Sequence, residues 1–120
     1  MLAHYINFQY LVRKVEIMLQ LISAESKTLQ VTRDVYDNPE RLKDMSIAMT
    51  NVVKRDVEKV IAAYDVIVER LKVAAIKDLE EHAGEPYISG PFEKFNTAVL
   101  AKGVWDQILV CVNAHLAGEL

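Results

Sequence analysis

Glycine is missing from the first 83 residues of this chain, where proline occurs once, at Pro39; the four glycines and the two remaining prolines all fall at or after Gly84. Glycine and proline are the strongest interrupters of regular structure. Their absence excludes a turn-rich fold over that stretch and predicts long helices, separated at Pro39 and again after Gly84. Cysteine occurs once, as Cys111, which excludes an internal disulfide; with Val110 and Val112 beside it, the residue reads as a small buried hydrophobe in a reducing compartment. Charge of one sign is also missing. The net charge of −3 divides as 0, −2 and −1 over residues 1–38, 39–85 and 86–120, which excludes a generally basic nucleic-acid binder. No apolar run approaches the length of a membrane span, and no basic leader precedes a cleavage site, so a cytoplasmic protein is expected.

Apolar residues are plentiful and arranged with helical spacing. Val53, Val57, Val60, Tyr64, Ile67, Leu71 and Ala74 alternate steps of four and three, a coiled-coil seam. Ile61, Val68 and Ala75 form a parallel line that widens this face beyond what one partner helix covers. Phe8, Leu11, Val15, Met18, Ile22 and Leu29 keep the same spacing in the amino-terminal segment. The β-branched stretch Thr28 to Tyr36 has no second strand to pair with, and so reads as the fraying end of the first helix.

Cap chemistry marks the boundaries. Asp37, Asn38, Pro39 and Glu40 supply a polar cap, a proline in the first turn and an acid at the positive end of the helix dipole. Gly84 stands where a left-handed carboxy-terminal cap belongs, and the segment from Glu85 to Pro91 cannot be helical. The last helix carries Phe92, Phe95, Val99, Trp105, Ile108, Leu109, Val112 and Leu116, with Gly103 in its middle. That glycine costs about 1 kcal/mol relative to alanine; it reads either as a close approach by another backbone or as mere tolerance.

The predicted fold is therefore an all-α antiparallel bundle of three principal helices, about 2–36, 39–83 and 91–117, in a single domain spanning 1–120. A helix over 40–83 would reach roughly 66 Å, beyond the ~35 Å diameter of a compact chain of this length. It must either bend, for which the stretch 47–53 is the weakest place, or be sheltered by another chain. An apolar share of 52% and a mean hydropathy of +0.09 argue for shelter, since surplus apolar stripe marks an interface. A homo-oligomer, dimer or higher, is expected, with a protein partner and with interface residues Val53, Val57, Val60, Tyr64, Ile67 and Leu71, together with Phe8, Leu11, Val15 and Met18. Tyr87 and Ile88, apolar residues in a loop stiffened by prolines, join that set.

No reaction-bearing constellation emerges, and no cofactor or metal is assigned. Each histidine lacks the glutamate three residues earlier that a bundle-core metal site uses; Asp78 and His82 share a face with Glu81 and Glu85 nearby, which reads as a solvated acidic helix end. Cys111 and His115 lie four apart without a third group to orient the imidazole. The glycine positions match neither a P-loop nor a dinucleotide fingerprint. The expected function is that of a non-enzymatic helical interaction protein: an adaptor, assembly subunit or inhibitor. Two alternatives stand beside it. One is a small helical enzyme or ligand-binding bundle with a charged pocket at a subunit junction, drawing on Arg13, Arg70, Lys72, Asp65 or Glu69. The other is a nucleic-acid accessory protein using the face from Arg41 to Lys59, where Lys43, Lys54 and Arg55 alternate with acids.

Overall fold

The structure, a computed structural model, describes residue 25 and residues 27–86 and 89–119. Helix α1 spans Gln30–Asp37, a 3-10 helix η1 spans Pro39–Asp44, and the long helices α2 and α3 span Ile47–Glu81 and Gly90–Leu116. There is no strand among the described residues. The fold is an all-α bundle, with α2 and α3 packed as an antiparallel hairpin and α1 and η1 folded over the end where α2 begins and α3 finishes.

Two of the expected helices are interrupted. The predicted first helix does not run unbroken to 36. Thr28 sits in a turn in which its amide and hydroxyl both donate to the Glu25 carbonyl, at 3.2 and 2.6 Å, and Leu29 is extended with its amide donating to Asp56 Oδ2 at 2.8 Å. That carboxylate on α2 takes up an N–H at the start of α1, and weak helix propensity across the β-branched stretch lets the turn form. The remainder of that helix, residues 2–24, lies outside the described residues. The predicted second helix, 39–83, is divided as well. Asn38 Oδ1 caps as expected, accepting from the Glu40 amide at 3.2 Å, yet the helix it opens is the short η1. The break comes at Met45 and Ser46, both extended, just ahead of the 47–53 stretch where a bend was expected. Ser46 is the reason: its hydroxyl accepts from the Met49 amide at 3.2 Å and starts α2 afresh.

The far end follows the cap rules closely. α2 stops at Glu81, two residues short of 83, and Gly84 has φ +84°. Ser89 caps α3, accepting from the Phe92 amide at 3.1 Å while donating to Asp78 Oδ2 on α2 at 2.8 Å. One side chain thus starts the third helix and fastens it to the second.

At 35 residues α2 is about 52 Å long, and the Cα extents are 59 × 26 × 18 Å. The radius of gyration, 18.1 Å, exceeds the roughly 14 Å of a compact chain of this size. The rod therefore survives the division at Ser46. Its seam is nonetheless covered within the chain. Val53, Val57, Val60 and Tyr64 join Val35, Leu42, Trp105, Ile108 and Val112 in the main core, and Ile67 and Leu71 pack with Ala98 in a second cluster.

Candidate functional site

Every one of the six α2 residues expected at an interface is at most 3% exposed in the single chain. They line the chain's own core rather than a surface open to another molecule. Phe8, Leu11, Val15 and Met18, and the loop pair Tyr87 and Ile88, lie outside the described residues. Apolar surface that remains open lies on the outer sides of both long helices, and its longest uncharged stretch is on α3.

Its orientation is set from the inside. Ala98, Trp105, Ile108 and Val112 recur at steps of seven, three and four and are buried, so they define the inward face. Trp105 packs against Tyr36 of α1, the rings tilted by 36° with centroids 4.7 Å apart, and His115 Nε2–H donates to the Met45 carbonyl at 2.9 Å. On the flank, Lys102 reaches Asp65 of α2 at 2.8 Å and Asp106 of its own helix at 3.9 Å. Hydrogen bonding to Asp65 is the first cause holding the Lys102 ammonium above its ordinary pKa.

With those faces committed, what points outward is apolar. Phe92, Val99, Leu100, Val104 and Val110 are 42–73% exposed, Leu100 the most. The positions between them on the same side are Asn96, Gly103, Gln107, Cys111 and Ala114. From Asn96 to Ala114 this side of the helix holds no Asp, Glu, Lys, Arg or His, an uncharged strip about 27 Å long. A helix that is apolar all round normally lies inside a protein; here one side faces water. On α2, exposed Val66, Val73 and Ile76 are interleaved with Glu69, Arg70, Lys72 and Lys77, while exposed Ile47, Met49 and Val52 form a shorter uncharged stretch at its start. One signal for the strip stood in the sequence: the run Ile108 to Val112 and the pair Val99-Leu100 cannot all share the face of Trp105.

Other candidate chemistry resolves into structural roles. His82 Nδ1–H donates to the Asp78 carbonyl at 2.9 Å and lies 3.8 Å from the Asp78 carboxylate, and that carboxylate also holds Ser89. Among the described residues, no group of three His, Cys, Asp or Glu side chains is disposed to hold a metal ion. Cys111 is a half-buried free thiol, and its helical neighbour His115 has Nε2 occupied by the Met45 carbonyl. An open cleft of about 440 Å³ lies between α1, η1 and the start of α2, lined by Val31, Asp34, Arg41, Asp44, Met45, Ser46 and Met49. It sets one guanidinium among two carboxylates and holds no nucleophile beside a base. On the basic face, Lys43 pairs with Glu40 at 2.9 Å and Asp56 accepts from Leu29, so acids interrupt any phosphate track. Of the residues weighed for a charged pocket, Arg13 lies outside the described residues, Asp65 pairs with Lys102, and Glu69, Arg70 and Lys72 are exposed. No helix among the described residues is long and apolar enough to cross a membrane.

Comparisons with protein families, with curated proteins and with solved structures return no match for this chain.

Proposed function

We propose that this chain is a non-enzymatic helical interaction protein, an adaptor, assembly subunit or inhibitor, and that it engages protein through the outward strip of α3. The observation that carries this reading is the strip itself: Val99, Leu100, Val104 and Val110, 42–73% exposed, on a side of α3 that carries no formal charge from Asn96 to Ala114, about five turns of helix. An exposed patch on the order of 400 Å² is at the size where patches are often functional. The rest of the molecule fits a presenting scaffold. The α2–α3 hairpin is fastened at one end by Ser89 and Asp78, in the middle by Lys102 and Asp65, and at the other end by His115 and the Met45 carbonyl. A rigid face of this kind loses little entropy on binding.

The test is site-specific photocrosslinking in cells that produce the protein. A photoreactive side chain at Leu100 is expected to yield covalent protein adducts, and the same group at exposed Lys72 on α2 is expected to yield none. Absence of adducts at position 100, or an equal yield at both positions, overturns the reading.

A further inference from the structure

We propose that residues 8–24 of this chain dock as a helix in the groove on the Asp56 side of the α2–α3 hairpin, antiparallel to α2 and in the register that sets Glu25 level with Tyr64. The proposal does not rest on the α3 strip being a docking face.

Two fixed points give the direction. The Leu29 amide is held by Asp56 and the Glu25 carboxylate by the Tyr64 hydroxyl, so the chain, followed toward its amino terminus, advances along α2 toward Glu81. Glu25 is itself helical, and the turn at Thr28 closes on its carbonyl. A helix that finishes there runs beside the hairpin and away from α1 and η1.

The same contact fixes the register. Glu25, Ile22, Met18, Val15, Leu11 and Phe8 descend by steps of three, four, three, four and three, and Tyr64, Ile67, Leu71, Ala74, Asp78 and Glu81 ascend by the same steps. Two antiparallel helices aligned at Glu25 and Tyr64 therefore keep their seams level over about 26 Å, with Ile22 by Ile67, Met18 by Leu71 and Val15 by Ala74. The acid that interrupts the first seam falls at the phenol that interrupts the second, and the two are hydrogen-bonded. Gln9, Arg13, Glu16 and Gln20 fall on the opposite side of such a helix, where polar residues meet water.

Burial completes the argument. Ile67, Leu71 and Ala98 are 2–3% exposed, yet the described residues that pack with them all belong to α2 and α3. Two helices in contact leave a groove on each side of their seam, since each covers only part of the other's apolar stripe. Lys102 and Asp65 span one side. On the other, Asp56, Ala63, Ile67 and Ala74 recur on α2 at steps of seven, four and seven, and the two alanines let a third helix approach closely. Tethered at Glu25, residues 8–24 meet this groove at an effective concentration of roughly millimolar, which a free partner helix or a second copy must outcompete.

Pulsed electron resonance on the purified full chain tests this, with Cys111→Ser as background and nitroxides at two introduced cysteines, measured with and without excess unlabelled chain. Gln9→Cys paired with Glu80→Cys should give a narrow distance distribution on the order of 25 Å, two helix axes about 10 Å apart plus two labels. Gln9→Cys paired with Arg55→Cys should give more than ~40 Å, because position 55 lies about 38 Å further along α2. Both distances should survive dilution with unlabelled chain. Hydrogen exchange supplies a second readout: Met18→Asp should speed amide exchange over α2 residues 63–74 by at least ~10-fold and leave residues 50–57 unchanged, while Gln20→Asp, on the outer side, should alter neither. A reversed order of the two distances, or a broad distribution for positions 9 and 80, overturns the proposal. So does a short distance that vanishes on dilution, which would place the segment in another copy's groove, and so does exchange over 63–74 that is indifferent to Met18→Asp.

Discussion

Two buried polar side chains show how single groups tune this core. Thr32 is fully buried, and its hydroxyl has no hydrogen-bond partner among the described residues. Removing a buried polar group that lacks a partner is favourable, so Thr32→Val, which keeps the shape, should stabilise the protein by about 1 kcal/mol in urea unfolding. Tyr64 is the opposite case, its hydroxyl donating to the Glu25 carboxylate across 39 residues of chain. Burial is the main cause holding the Tyr64 phenol above its ordinary value of 10, with the Glu25 hydrogen bond and charge adding to it. The folded state therefore keeps this proton to higher pH than the unfolded chain. The stabilisation is complete below about pH 10 and is lost as the pH rises beyond it. Tyr64→Phe should cost about 1.5–3 kcal/mol at neutral pH, and the gap between variant and wild type should narrow in alkaline unfolding titrations; a gap that widens would refute the assignment.

At the scale of elements, caps and clasps matter more than propensity. Ser46 and Ser89 each begin a long helix, and replacing Ser46 by alanine should cost about 1 kcal/mol, read as a lower urea midpoint with an unchanged slope. Ser89→Ala should cost more, because the hydroxyl also holds Asp78 of the neighbouring helix. Trp105 joins the α1 and α3 elements through its contact with Tyr36 and lies in the main core; Trp105→Ala should destabilise by about 3–5 kcal/mol in the same measurement. Element boundaries were partly legible in the chain. Asn38, Gly84 and Pro91 announced their roles because cap chemistry is local. The breaks at Thr28–Leu29 and at Met45–Ser46 were not legible, since one depends on Asp56, 27 residues away, and the other on a serine preceded by no proline or glycine to flag it.

At the scale of the molecule, the elongated shape and the uncharged strip act together. The rod expected from the unbroken stretch after Pro39 is present, trimmed to 35 residues, and its seam is covered by α3 of the same chain. Shelter for the α2 seam thus comes from within, and the apolar surface left over lies on the outer sides of both long helices, free of charge over about five turns on the last. Because the strip is uncharged, association through it should respond little to sodium chloride and strengthen in sulfate. Sedimentation across a salt series would show this, and strong weakening by sodium chloride would point instead to the charged faces of α2.

The sequence by itself determined the helical class, the antiparallel hairpin and the seam of α2, because these follow from spacing and from caps that act within a few residues. Only the tertiary structure decided which apolar face is consumed and which is left over. Burial is a property of pairs of surfaces: the pattern on α2 specifies that something must cover Val57 and Ile67, and the arrival of α3 with Trp105 and Ala98 inward determines what covers them. That same arrival leaves Leu100 and Val104 facing water.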